Sequence, residues 1–208
     1  FFSKEDPEEA AALLVDVVKH RVLRKFGLDP LEDLQVIAPM YRGQCGVSNL
    51  NEVLQQSLNP PAPQKREKRL GGRVFRVGDK IMQIRNNYDK DVYNGDLGEV
   101  ARVEGGITYV RFDTREVQYA ADQLDAITLA YACTIHKVQG SEFPAAVIVL
   151  HNAHFMLLNR ALLYTALTRA KRLVVLVGDP GAMARAARNA HAYTTNSKLL
   201  DRLRALTA

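Results

Sequence analysis

The spacing of apolar residues along this chain changes twice, and a fold with one kind of layer cannot satisfy both changes. Asp6-Pro7-Glu8-Glu9 is a helix start: a capping carboxylate, Pro in the first turn, then acids at the positive end of the dipole. Leu14, Val18 and Val22 follow at helical spacing, and Gly27 closes the run. Residues 34–38, LQVIA, read as a short buried strand stopped by Pro39. Ser48 then caps an expected helix carrying Leu50, Val53, Leu54 and Leu58. This strand–loop–helix order is the grammar of a parallel sheet covered by helices. At Asn59 the text turns Pro-rich and then basic, NPPAPQKREKR, and from Arg73 to about Leu124 the period becomes two. RVFRV, DKIMQIR, GEVARV, ITYVRF and EVQYA read as five short strands, with Asn94-Gly95-Asp96 and Glu104-Gly105-Gly106 as turns. Such a run predicts a small barrel, SH3-like or OB-like.

The first grammar then returns. TLAYACTI and PAAVIVLHN read as strands, 159–171 as a helix, and RLVVLVGD as a further strand. Thr195/Asn196 caps a last amphipathic helix with Leu199, Leu200, Leu203 and Leu206. The expected fold class is therefore α/β, a parallel sheet with helices on both faces, interrupted by a small β-barrel insertion. The expected segments are 1–64 and 127–208 for the α/β domain and 65–126 for the insertion. A hydrophobic content of 47% in 208 residues suffices for such a core.

Charge and cysteines bound the function loosely. A net charge of +5 permits a nucleic-acid partner without requiring one. Cys45 and Cys133 lie far apart in apolar surroundings and form neither a disulfide framework nor a zinc spacing, which fits a reducing, cytoplasmic setting. No apolar run reaches the length of a membrane span, so no membrane partner is expected. The N-terminus lacks the order of a signal peptide and an initiator Met, as a piece of a longer protein would.

The stretch 131–143, YACTIHKVQGSEF, sets six polar or small residues between two buried runs. Loops that follow strands of an open parallel sheet converge on one edge, where ligands bind. Arg42 in MYRGQCG, Glu142, and Arg169 in the 159–171 helix are thereby expected to share a site. Two guanidinium groups aimed at one place suit a phosphate-bearing ligand; they equally suit surface salt bridges. Thr134, His136 and Lys137 offer a hydroxyl, a ring and a charge, with Gly140 allowing close backbone approach; a lone His beside a strand also serves structure alone. The basic run Lys65, Arg66, Lys68, Arg69, Arg73, Arg76 fits either a phosphate backbone or a solvated linker face. Arg85, Asn86, Asn87 and Tyr88 mix donors with an aromatic able to stack on a base. No G-x-x-x-x-G-K-[ST], G-x-S-x-G or H-E-x-x-H occurs in these residues, and no metal site is expected.

Taken together, VIAPMYRGQCG, VGDKIMQIRNNYDKDVYNGDLGEV, YACTIHKVQGSEFPAAVIVL and LLYTALTRAKRLVVLVGD resemble the C-terminal half of a superfamily 1 DNA helicase of the RecD-like, 5′→3′ kind. The resemblance spans nearly the whole chain and implies a RecA-like motor domain with an inserted SH3-like module. It makes the first stretch motif IV, the third motif V and the fourth motif VI. One departure is Val138, where the family usually has Ser. The resemblance implies that Thr134, His136 and Lys137 contact single-stranded DNA. It places Gly140 and Glu142 at the nucleotide, and Arg42 and Arg169 at the γ-phosphate as catalytic cations. It further implies ATP and Mg²⁺, with the metal ligands on a first motor domain preceding Phe1. These residues alone are then expected not to turn over ATP. Subunits of a recombination–nuclease complex are further expected partners. A non-catalytic nucleic-acid-binding or scaffold domain of such a complex is the alternative.

Overall fold

The computed structural model describes residues 1–190, 198 and 202–204. In chain order the strands are β1 (Phe2–Ser3), β2 (Leu34–Ala38), β3 (Glu67–Leu70), β4 (Arg73–Arg76), β5 (Lys80–Gln83), β6 (Leu97–Glu104), β7 (Ile107–Phe112), β8 (Arg115–Tyr119), β9 (Ile127–Leu129), β10 (Ala132–Thr134), β11 (Phe143–Leu150) and β12 (Ala170–Gly178). Five of them form a wholly parallel sheet in the order β1-β12-β11-β2-β10.

That sheet is apolar on both sides, as a parallel sheet between helices must be. Val36, Ala38, Val147, Val149 and Val177 point into one core, while Ile37, Ala146, Ile148, Leu150 and Leu176 point into the other. The first face is covered by α1 (Pro7–Asp16), which runs through a π turn at Val17–Arg21 into α2 (Val22–Phe26), and by α3 (Val47–Leu58). Asp6 caps α1 by accepting from the Glu8 and Glu9 amides, and Gly27 ends α2 at φ 65°. Leu14, Leu50 and Leu54 are fully buried here, each contributing about 1.5–3 kcal/mol of transfer free energy. The second face carries α4 (Arg160–Leu167) and α5 (Pro180–Arg188).

Several local expectations change. The helix expected to be capped by Ser48 begins two residues earlier, at Val47, with Gly46 as its cap. No cap side chain is needed, because the Met40 and Tyr41 carbonyls accept from the Val47 and Ser48 amides at 2.9 and 3.1 Å. Gly46 is required there: a Cβ would stand 2.3 Å from the Arg42 carbonyl oxygen. The helix expected over 159–171 stops at Leu167, and Asn159 caps it by accepting from the Leu162 amide. Helix α5 went unanticipated, although Asp179-Pro180 repeats the Asp6-Pro7 cap. The cap of the expected last helix and its Leu199, Leu200 and Leu206 lie outside the described residues.

All five expected insertion strands form, but not as one sheet. β4 pairs with β3, inside the stretch that reads as linker, and the larger antiparallel sheet runs β8-β7-β6-β5-β9. Its last member comes from the expected strand TLAYACTI, which breaks in two. β9 joins the insertion antiparallel to β5, and β10 joins the parallel sheet beside β2. Buried Gln35 holds the crossing, donating to the carbonyls of Ala130 and Tyr131 at 3.1 and 3.3 Å.

The insertion is tied to the sheet domain by a buried carboxylate. Asp79, fully buried, accepts from Gln55 and the Arg76 amide on one oxygen and from Asn59 and the Tyr131 hydroxyl on the other, at 2.5–2.8 Å. Burial raises its pKa, and the four hydrogen bonds pull it back. Arg76 is buried and donates to the Asn59 carbonyl and to Glu67, while Arg73 donates to the Ile127 carbonyl. These two members of the basic run therefore hold the junction together.

Candidate functional site

The loop 135–142 connects opposite edges of the parallel sheet. Thr134 lies level with Ala38, at the C-terminal end of β2, whereas Ala145 lies level with Leu34, at its N-terminal end. The intervening strand rises about 3.3 Å per residue, so the two rims stand roughly 13 Å apart. The loop starts on one rim and finishes on the other.

On the C-terminal rim, Tyr41 and Arg42 stand exposed on the loop after β2, beside exposed His136 and half-buried Lys137. Thr134 is buried, and its hydroxyl and carbonyl both accept from the Lys137 amide, fixing the turn that presents Lys137. The Lys137 ammonium donates to Asn94 Oδ1 at 3.0 Å, so the insertion closes over this rim. Asn94 lies in the turn predicted from Asn-Gly, which gave no hint of a partner. Val138 is fully buried in the second core with Ile135 and Phe143. Apolar packing thus accounts for Val at this position.

Two histidines brace the same rim. The His151 ring hydrogen-bonds the Glu5 carbonyl at 2.7 Å and accepts from the Ala153 amide. Buried His154 accepts from the His151 amide and lies close to the backbone of Cys45, in the loop that carries Arg42. Burial, aided by His151, pulls the His154 pKa down to about 4. The ring is therefore neutral at neutral pH.

On the N-terminal rim, Arg169 immediately precedes β12, and its carbonyl accepts from the Phe143 amide at 2.8 Å. Its guanidinium donates to the carbonyls of Thr165 and Ser141, at 3.0 Å each, and to the Thr168 hydroxyl at 3.1 Å. The group is held at the C-terminus of α4, where the helix dipole favours a cation. Glu142 is exposed and pairs with Lys171 at 3.2 Å. Gly140, at φ 85° and with nothing within 4 Å of a Cβ position, gives the loop its left-handed step.

The register sorts the candidate residues by rim. Glu142 and Arg169 come together, as do His136 and Lys137. Arg42, expected to join Glu142 and Arg169, stands instead on the opposite rim, since it follows β2 while they precede β11 and β12. Thr134 turns its hydroxyl to the loop rather than outward. A residue that pattern reading missed is Lys80, whose ammonium donates to the Leu34 carbonyl at 3.0 Å beside Phe143. Burial pulls its pKa down to about 8. It lines a cavity of about 730 Å³ that also includes Glu142. Among the described residues no group of three or more His, Cys, Asp or Glu is placed to hold a metal ion.

Comparison with known proteins agrees with this architecture. Residues 50–117 match the SH3 domain of ATP-dependent RecD-like DNA helicases, and residues 129–177 match the UvrD-like helicase C-terminal domain. Sequence and fold are those of the C-terminal part of a RecD-like superfamily 1 helicase. The ATP-dependent RecD2 DNA helicase of Deinococcus radiodurans is 39% identical over 83% of this chain and 24% of its own length. The RecBCD enzyme subunit RecD of Mycobacterium tuberculosis is 36% identical over 88% of this chain and 32% of its own. The chain therefore spans about a quarter to a third of these relatives. A crystal structure of the Pif1 helicase from Bacteroides with ADP-AlF3 and ssDNA superposes with a TM-score of 0.58 at 20% identity, over 94% of this chain and 50% of that one. That likeness concerns the fold. No described helix is long and apolar enough to cross a membrane.

Proposed function

We propose that this chain is the second motor lobe of an ATP-driven 5′→3′ DNA helicase, with its two rims serving two ligands. The N-terminal rim turns Arg169 and Glu142 toward a nucleotide whose triphosphate and Mg²⁺ are gripped by another lobe of a longer protein. Arg169 supplies a preorganised cation where negative charge develops on the transferred phosphoryl group, and Glu142 meets the ribose. Such an arginine contributes on the order of 10³–10⁵ in rate in known phosphoryl-transfer enzymes. Gly140 lets the loop backbone approach the same ligand. On the C-terminal rim, Arg42, His136 and Lys137 face the backbone of single-stranded DNA, with Thr134 holding the turn beneath them.

The observation that carries this reading is the path of the loop 135–142. One end is tied to Arg169 through the Ser141 carbonyl and the other presents Lys137. A shift of Arg169 upon hydrolysis thus has a route of one hydrogen bond and a few residues of chain to the DNA grip, which is what coupling requires. The relatives include both a RecD2 helicase and RecD subunits of RecBCD enzymes. We propose the same DNA-motor role whether the parent works alone or with nuclease partners. In the full-length protein, Arg169→Ala should abolish ATP turnover and leave single-stranded DNA affinity within about twofold. Equal loss of both would overturn the division of labour.

A further inference from the structure

The loop 84–96 of the insertion exposes two aromatic rings that pack on each other. Tyr88 is 76% exposed and Tyr93 41%, and their rings meet edge to face at 6.0 Å. Burying such rings is the ordinary way to stabilise a loop, yet here they are held outward by a rigid frame. Asn87 and Val92 exchange both backbone hydrogen bonds, at 2.8 and 3.1 Å, and Val92 is fully buried beneath them. The Tyr93 amide donates to Asp96 at 2.8 Å and its hydroxyl to Asp91 at 2.7 Å. Asn86 accepts from the Asn94 amide at 2.9 Å. The rings therefore present a fixed surface that needs no ordering when something lies on it.

The next residue places this surface. Asn94, following Tyr93, accepts from the Lys137 ammonium across the gap between insertion and sheet domain. The aromatic pair thus flanks the C-terminal rim. The two sides differ in chemistry. The rim brings cations, suited to phosphates. The insertion brings π faces next to acids: Asp91, paired with Arg115, and Asp89. With Asp91 paired to Arg115 and Lys90 next to Asp89, these charges cancel; the surface offers a phosphate no net attraction, and its rings suit a base.

We infer that Tyr88 and Tyr93 form a stacking platform for an unpaired base of the strand whose backbone crosses Lys137. The inference rests on the function proposed above and adds a base contact from the insertion to the phosphate contacts of the rim. Stacking of this kind tolerates any sequence, because every base has a π face.

The test uses the full-length protein and two fluorescent oligonucleotides of equal length, one of thymidines and one with an abasic central stretch. Tyr88→Ala should weaken binding to the thymidine strand by about tenfold. It should leave binding to the abasic strand unchanged, and Tyr88→Phe should restore the wild-type affinity. If Tyr88→Ala binds thymidine strand as wild type does while Lys137→Ala weakens it, the platform is overturned and the motor reading stands. Equal weakening toward both strands overturns the platform too, since the ring would not be reading a base. If wild-type protein binds neither strand, the motor reading fails and takes the platform with it.

Discussion

Replacing Asp79 offers the sharpest test of how the insertion is joined to the sheet domain. The carboxylate is fully buried and accepts four hydrogen bonds, two on each oxygen. Asp79→Ala strands the donors of Gln55, Asn59, Tyr131 and the Arg76 amide. Each stranded buried donor costs about 1–3 kcal/mol, and water entering the vacated volume offsets part of that. An overall loss of about 4 kcal/mol follows, within the roughly 3–5 kcal/mol typical when one member of a buried charged cluster is removed. Asp79→Asn keeps the shape and one accepting oxygen but aims an NH₂ at two donors, so roughly half the loss is expected. Urea denaturation followed by far-UV circular dichroism reads both, together with a melting temperature lowered by roughly 8–16 °C for the Ala variant. The melting curves also show whether one cooperative transition persists. A cost below about 1 kcal/mol for Asp79→Ala would refute the reasoning.

Two further outcomes follow from single positions. His154, with a pKa of about 4 against an ordinary 6.5, stays neutral when folded while the unfolded ring takes up a proton. Its contribution is full above pH 6.5 and is lost as pH falls toward 4, a total of roughly 3 kcal/mol. The slope of stability against pH in that window should flatten in His154→Gln; an unchanged slope would contradict it. Gly178 has φ 132°, and a Cβ there would stand 2.0 Å from the Leu150 carbonyl oxygen. Gly178→Ala should therefore lower stability by more than about 1–3 kcal/mol in the same urea assay, and a neutral result would show that the β11–β12 edge yields freely.

The α/β layers and the insertion were legible because period and punctuation agree. PAAVIVL is a continuous apolar run and LQVIA is apolar but for Gln35, Asp6-Pro7 and Gly27 mark helix ends, and the insertion strands alternate. What pattern reading could not resolve is where one apolar run changes partner. TLAYACTI looks like one strand, yet the break at Ala130 and Tyr131 is set by Gln35, 95 residues away. The same limit explains Arg42. Sequence order shows that it follows a strand while Glu142 and Arg169 precede theirs, but only the parallel pairing turns that order into opposite rims. Lys80 and Asn94 lack any local signal, because their partners Leu34 and Lys137 are distant in sequence.

The two-rim arrangement is tested most directly by comparing Arg42→Ala with Arg169→Ala in the full-length protein, measuring ATP turnover at saturating single-stranded DNA alongside DNA affinity. With Arg42 on the DNA rim, Arg42→Ala should bind DNA several-fold more weakly yet keep its maximal turnover, whereas Arg169→Ala should lose turnover by about 10³-fold or more. Collapse of maximal turnover in Arg42→Ala to the level of Arg169→Ala would return both arginines to one nucleotide site and contradict the arrangement.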